Sequence, residues 1–426
     1  MKRTASPRSS LNGPLLAIVG EGLLSRLSFG LISFTLPLYA RHLGLSLTEV
    51  GILAALNSAV AVAAKPLLGW VADRFGLKRT LVAAIGLRSL VSLCLGFASA
   101  PWELFAVRSA HGLSMSLRDP SVNALIAEHG GKKSVASAFA WYQTARMVAG
   151  SLSRALAGFL LALTAANYPL VFFIAFALSV LPLLVVSRCV RDERDATHGS
   201  RNPESSRERL AQTTQISADA TQARPKLLPF VGLGFLIAGT AEMLTGLFPV
   251  LATEYAGLST AQVGIIYAVS TLATIVSGPI FGWLSDNVSR KLVLTVRGLA
   301  NTLSSIVYVI APTFLGVGIA KTADDMGKAA FRPAWGALMA HISSFDKRNR
   351  ARTMSWMSMG EDAGAVVAPV LAGLLWSTWG ITVLMALRAL LAIATEVYAL
   401  SITRSARLRS GHAPTPSDDR ADVRAG

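Results

Sequence analysis

Arginine, lysine, aspartate and glutamate recur inside stretches of this sequence that are otherwise almost wholly apolar. Glu21, Arg26, Arg88, Arg108, Arg118, Asp119, Arg146 and Arg154 fall in such stretches in the first half of the chain. Glu242, Arg297, Lys321, Asp324, Asp325, Arg332, Glu361, Asp362, Arg388 and Glu396 do so in the second. In lipid, a charge near mid-depth costs at least ~2.5–3.5 kcal/mol, so such groups turn toward one another or toward a wet cavity. Counted inward from the loops, Arg26, Arg146, Glu242, Asp324, Asp325, Glu361 and Asp362 lie nearest the middle, cationic in the first half and anionic in the second. Arg146 and Arg154 are two helical turns apart, with Gly150 between them on nearly the same face.

Two chemistries are open to this set. The charges can pair within and between halves, which only keeps them neutral in low dielectric. Alternatively, an arginine binds an anionic group of a solute while a carboxylate carries a proton. The residues placed for the second role are Glu21, Arg26, Arg108, Arg146, Arg154, Glu242, Asp324, Asp325, Glu361 and Asp362. Arg118-Asp119-Pro120 and Arg332-Pro333 are a separate case. A proline frees a carbonyl one turn back and bends its helix, and the adjacent arginine is placed to satisfy that carbonyl, a structural or hinge role. Cys94 and Cys189 make no disulfide framework, no Cys/His cluster has metal-ligand spacing, and no nucleophile–base pair sits on a loop. No catalytic residue, metal or cofactor is expected.

The elements that must hold these residues follow from length. The 426 residues are 52% hydrophobic and 15% charged, with a mean hydropathy of +0.51, whereas soluble domains carry about 25% charged residues. Apolar runs such as 81–98, 171–186 and 227–251 are long enough to cross a hydrocarbon layer of ~30 Å as helices. Twelve spans are predicted, at 15–39, 48–71, 80–99, 104–127, 135–164, 168–187, 227–251, 260–285, 292–311, 314–340, 351–376 and 380–403. The basic start of the chain runs into an apolar stretch, but Glu21, Arg26 and the absence of a small-x-small site make it a retained first span rather than a signal peptide.

Loop charge alternates. One side carries Lys2, Arg3 and Arg8; Arg74, Lys78 and Arg79; Lys132 and Lys133; Arg290 and Lys291; Lys347, Arg348, Arg350 and Arg352; and Arg404, Arg407 and Arg409. Among the opposite loops only Arg41 is basic, and these hold Trp102, Tyr168, Tyr255, Trp376 and Trp379, rings suited to a membrane–water interface. Both termini are therefore expected in the cytoplasm of a multi-pass protein of the cell membrane. The formal charge of +16 belongs to these loops and not to nucleic-acid binding. Residues 188–226, rich in charge and poor in large apolar groups, read as a flexible cytoplasmic linker, and 404–426 as a tail of the same kind. The organisation expected is a cytoplasmic start (1–14), a six-helix bundle (15–187), the linker, a second bundle (227–403) and the tail.

The two bundles are copies. At an offset of 213, Gly44-Leu45-Ser46 meets Gly257-Leu258-Ser259, and Val50-Gly51-Ile52 meets Val263-Gly264-Ile265. Pro66 meets Pro279, Gly69-Trp70 meets Gly282-Trp283, Asp73 meets Asp286, Lys78 meets Lys291 and Pro120 meets Pro333. The fold class is thus an all-α membrane protein of two six-helix bundles related by a parallel two-fold repeat, an arrangement suited to rocking about a site between the halves.

The loop Gly69-Trp-Val-Ala-Asp73-Arg74-Phe-Gly76-Leu77-Lys78-Arg79 resembles the G-x-x-x-D-R/K-x-G-R/K-R/K signature of the major facilitator superfamily, with Leu77 replacing a basic residue. Gly282-Trp-Leu-Ser-Asp286-Asn287-Val-Ser289-Arg290-Lys291 repeats it, without the arginine and the second glycine. The resemblance implies that Gly69, Asp73, Arg74, Gly76, Lys78, Arg79, Gly282, Asp286, Arg290 and Lys291 form a latch between bundles that breaks during the cycle. Leu104-x-x-x-Arg108-x-x-His111-Gly112 is similar to the family's L-x-x-x-R-x-x-Q-G pattern, whose arginine is linked to proton transfer in proton-coupled members. The Gly-Pro-rich motif of its drug–proton antiporters is missing from Gly150-Ser-Leu-Ser-Arg154-Ala-Leu-Ala-Gly158. By resemblance the chain is expected to be a monomeric secondary transporter exporting a small organic solute, coupled to protons. Uptake of an organic anion and a solute-sensing transceptor are the alternatives.

Overall fold

The computed structural model describes residues 13–129, 135–189, 227–287, 290–344 and 350–410. Six helices make the first half: α1 (Gly13–His42), α2 (Leu47–Phe75), α3 (Leu77–Phe97), α4 (Pro101–His129), α5 (Val135–Leu163) and α6 (Tyr168–Cys189). In the second are α7 (Leu228–Glu242), α8 (Phe248–Val250) with a π-turn over Leu251–Tyr255, α9 (Thr260–Asn287), α10 (Arg290–Ile310), α11 (Phe314–Ser344) and α12 (Arg350–Ser410). Helices satisfy their own backbone groups, which hydrocarbon requires.

Two boundaries differ from the sequence expectation. The span at 227–251 is interrupted over 243–247, because Pro249 has no N–H to continue the ladder and the chain turns through Thr245 N–H to Glu242 O at 3.2 Å instead. The last two predicted spans are two helices that meet without a loop at Gly380, whose φ of 83° and ψ of 171° are non-helical values that glycine adopts without strain; α12 denotes the two together. With α7 and α8 taken as one crossing and α12 as two, the chain crosses twelve times. α12 also continues through Ser410, into the stretch expected as tail. The linker at 190–226, the tail from 411 and Lys132 and Lys133 lie outside the described residues.

The repeat is visible in local chemistry. Gly44 and Gly257 both have positive φ, 87° and 65°, and each ends the turn before a capping serine. Ser46 N–H donates to Glu49 Oε2 at 2.7 Å while Glu49 N–H donates back to Ser46 Oγ at 3.3 Å. Ser259 and Gln262 repeat this reciprocal pair at 2.9 and 3.3 Å, so α2 and α9 start from the same capping box.

Packing between halves is uneven along the membrane normal. Away from the basic loops, one apolar core is shared: Leu31, Phe34, Leu53, Leu161 and Phe172 join Leu244, Phe248, Tyr267, Val317 and Leu384. Toward the basic loops there are two cores instead. One holds Leu15, Ile18, Leu81, Leu125 and Tyr142, the other Phe230, Leu233, Trp335 and Met357. The halves are closed on one side and divergent on the other.

The closed side depends on two helix crossings related by the repeat. Gly51 of α2 lies with its Cα against Gly373 of α12, and Gly264 of α9, its counterpart, lies against Gly158 of α5. A Cβ at Gly158 would stand 2.5 Å from Thr260 O and 2.7 Å from Gly264 Cα. Such small-residue contacts let backbones approach where lipid offers no hydrophobic drive.

Candidate functional site

A cavity of about 540 Å³ opens between the halves, at the level where the shared core gives way to the separate ones. Leu36, Leu53, Leu244 and Phe248, all members of the shared core, close it on the side away from the basic loops. Of the residues expected to meet solute or proton, Arg26, Arg108, Arg146, Arg154, Glu242, Asp324 and Asp325 line it. Gly150 lines it between Arg146 and Arg154, as the two-turn spacing on α5 requires.

The wall from the first half is built around Phe29. The guanidinium carbons of Arg26, Arg88 and Arg108 stand 4.8, 5.5 and 5.8 Å from its ring centre, and His111 packs edge-on at 5.1 Å. A ring face stabilises such cations without a counter-charge. Arg108 Nε donates to Leu53 O at 3.1 Å, while its Nη1 is buried without a hydrogen-bond partner.

The opposite wall is α11. Asp324 accepts from Arg388 Nη2 at 2.6 Å and pairs with Lys328 Nζ at 2.9 Å. Asp325 pairs with Lys321 and accepts from the Ser270 hydroxyl. The expected acidic face is therefore corrected: lysines one turn before Asp325 and one turn after Asp324, with Arg388 from α12, neutralise the acids within their own half. Glu242, at the interrupted end of α7, lines the cavity with no side-chain hydrogen bond or ion pair among the described residues. At the repeat offset it stands where Phe29 stands in the first half. Arg154 of α5 and Lys321 of α11 face one ring between the halves, at 5.5 and 5.3 Å from the centre of Tyr267.

Three of the expected site residues are elsewhere. Glu21 is fully buried in the first half, held by Arg118 through Nε and Nη2, both at 2.8 Å, and by the Ser25 hydroxyl at 2.7 Å. Arg118 also reaches Tyr142 OH at 2.8 Å and Asp119 at 3.3 Å, so its partners are acids and a phenol rather than the carbonyl freed by Pro120. A carboxylate outbids a carbonyl for a buried guanidinium because the bond is charge-assisted on both sides. Glu361 accepts from Trp335 Nε1, and Asp362 ties the halves by a 2.8 Å pair with Lys65. In the latch loops, Gly76 is buried with φ 95° between α2 and α3, Arg74 and Arg79 are exposed and Lys78 is half-buried. The side chains of Gly69, Asp73, Gly282, Asp286, Arg290, Lys291, Arg332 and Pro333 lie outside the described residues.

Sequence reasoning passed over Lys328, although its i+4 spacing from Asp324 was available. It also passed over Arg41 and Glu254, which pair across the closed side at 2.8 Å. That hydrogen bond raises the Arg41 guanidinium above its ordinary value.

The chain matches the sequence profile described as Major Facilitator Superfamily over residues 22–322 and 230–423. It is 26% identical over 398 residues to proteins called multidrug resistance protein MdtG from Escherichia coli, strains K12 / DH10B and UMN026, covering 90% of this chain and 93% of theirs. Its fold is similar to that of the nucleoside transporter NupG, with a TM-score of 0.68 at 16% identity over 92% of this chain and 98% of that one. It is also similar to a bacterial homolog of the human lysosomal transporter Spinster in an inward-facing and occupied conformation, with a TM-score of 0.66 at 16% identity over 93% and 96%.

Proposed function

This chain belongs to the Major Facilitator Superfamily, and from that premise we propose that it exports small organic solutes from the cytoplasm in exchange for protons. It is a multi-pass membrane protein and a secondary transporter that works by alternating access. The observation that supports the export reading is the cavity between halves, sealed by the core they share and walled by charge. With the basic loops in the cytoplasm, as the charge asymmetry favours, the divergent side faces the cytoplasm and the cavity is placed to load from there. The names of the Escherichia coli relatives agree with export.

Glu242 is the residue we assign to the proton. It gains or loses a proton without breaking an ion pair, whereas protonating Asp324 would sever it from Arg388 and Lys328. The duplicated Asp73 and Asp286 loops act as the latch that re-forms when the cytoplasmic side closes, and the protein works as a monomer.

Purified protein in proteoliposomes tests this with a panel of radiolabelled solutes and an imposed pH gradient. A gradient of two units carries ~2.7 kcal/mol per proton, enough for roughly 100-fold accumulation at one proton per solute. Accumulation that follows the gradient and collapses with a protonophore is expected. Flux indifferent to both would overturn proton coupling.

A further inference from the structure

The charge of the cavity points to the class of solute it takes. Arg26, Arg108, Arg146, Arg154, Lys321 and Lys328 line it against only Glu242, Asp324 and Asp325. The two aspartates are already held by cations of their own half, Asp324 by Arg388 and Lys328 and Asp325 by Lys321. No carboxylate of the first half lines the cavity among the described residues.

Two places in this wall ask for an anion. Arg108 is 8% exposed, lines the cavity, and keeps Nη1 buried without a partner. A buried guanidinium N–H left unmet costs more than a neutral one, and a carboxylate or phosphonate oxygen is the acceptor that best repays it. The second place is Tyr267, where Arg154 and Lys321 approach one ring from opposite halves. Lys321 is matched by Asp325, so the charge left over at this ring is that of Arg154, which makes no ion pair among the described residues and which an anion lodged there would meet. Phe29, Phe248 and the Tyr267 ring supply apolar surface for the rest of the molecule.

We propose that the transported solute is an amphipathic organic anion, bound between Arg108 in the first half and the Arg154–Lys321 pair that spans the halves. The proposal rests on the transport reading for the role of the cavity. Its energetics suit export. An inside-negative potential favours loss of a monoanion by ~2.3 kcal/mol per 100 mV. Exchange of one monoanion outward for one proton inward moves two positive charges inward, so the potential acts twice.

The test is equilibrium binding of size-matched probes to the purified full chain in detergent: 1-naphthoate, 1-naphthylmethanol and 1-naphthylmethylammonium. The anion is expected to bind at least ten-fold tighter than the alcohol, and the ammonium weakest. Arg108→Gln and Arg154→Gln should each weaken naphthoate at least ten-fold, with Arg108→Lys weakening it less. Should Arg108→Gln not fold, Arg154→Gln, whose side chain is only partly buried, decides the matter. Equal binding of the three probes, no binding of naphthoate, or naphthoate binding untouched by Arg154→Gln would overturn the proposal. The assay needs no gradient. Naphthoate preference without gradient-driven flux would sink proton coupling alone, and flux without anion preference would sink this inference alone.

Discussion

Arg41 and Glu254 occupy the same position in the two copies of the repeat, 213 residues apart, and bond to each other. Arg41 Nε and Nη2 donate to the two carboxylate oxygens at 2.8 and 2.9 Å. Equivalent positions meet where a pseudo-two-fold axis passes, so this pair marks that axis at the closed face. One copy has diverged to a cation and the other to an anion, which converts a symmetric contact into an attractive one. Beside it, Thr48 and Ser377 share a 2.7 Å hydrogen bond between α2 and α12.

The pair is a fastener of the closed face, and its strength is modest. With side chains 30% and 38% exposed it contributes ~0.2–1 kcal/mol. Arg41→Ala should therefore shift the balance toward the opposite-facing state by up to about five-fold. The rate at which an impermeant maleimide added from the far side labels Ala54→Cys, with Cys94 and Cys189 replaced by Ser, reports that balance. The swap of Arg41→Glu with Glu254→Arg should restore the original rate. Labelling unchanged by the single substitution would show that the pair fastens nothing.

At the glycine crossings the effect should be far larger, because backbone rather than a flexible side chain is in the way. Gly158→Leu places its side chain into Thr260 O and Gly264 Cα of the other half. The far side then cannot close, and turnover should fall more than ten-fold while the protein still elutes as a folded species. Far-side labelling of Ala54→Cys should rise with it. Normal transport in this variant would separate the crossing from the cycle.

Glu21 and Arg118 serve the fold of one half, not its traffic. Arg118→Met strands a fully buried carboxylate, a cost of ~3–5 kcal/mol. The double variant with Glu21→Met should recover most of the lost thermal stability, since both charges leave together. Its Km for solute should match the original protein. A changed Km in the stable double variant would return Glu21 to the transport site.

Some of this was legible in sequence and some was not. Span positions, the repeat and the cavity-facing Arg26, Arg146 and Arg154 follow from hydropathy and helical spacing, which are local properties. Glu21 is a candidate for solute or proton only as a charge within a span, and Asp362 only by its depth. Depth does not say which way a side chain points, and their partners Arg118 and Lys65 come from other helices. The neutralised α11 wall was half legible: the spacing of Lys321, Asp324, Asp325 and Lys328 was on the page, but Arg388 arrives from α12 across the bundle. Gly246 and Pro249 signal the break after Glu242, but the run around them is apolar throughout and so reads as one span.

The latch predicts a kinetic effect without a binding effect. Asp73→Asn should slow turnover several-fold while leaving membrane insertion and equilibrium solute binding intact, because the proposed latch acts on the interconversion of the two faces and not on the cavity. Stopped-flow flux beside binding by scintillation proximity separates the two quantities. Unchanged turnover would leave the loop a determinant of folding and topology.

Glu242 offers the sharpest separation of coupling from transport. Its carboxylate lines the same cavity as Asp324 and Asp325 but makes no direct ion pair among the described residues, and it ends α7 where the helix is interrupted. Glu242→Gln mimics the protonated state permanently and removes no ion pair. Exchange of labelled for unlabelled solute at equal pH should persist within a few-fold of the original rate. Accumulation driven by a two-unit pH gradient should fall from roughly 100-fold to none, since ~2.7 kcal/mol of proton free energy no longer reaches the solute. Asp324→Asn should behave differently: it leaves the fully buried Arg388 without its acid, and the protein should lose thermal stability before any coupling can be read. If Glu242→Gln still accumulates solute against its gradient, the proton is carried elsewhere, and Asp325, held by Lys321, more loosely by Lys328 at 3.8 Å, and by a serine hydroxyl, becomes the next carboxylate to replace.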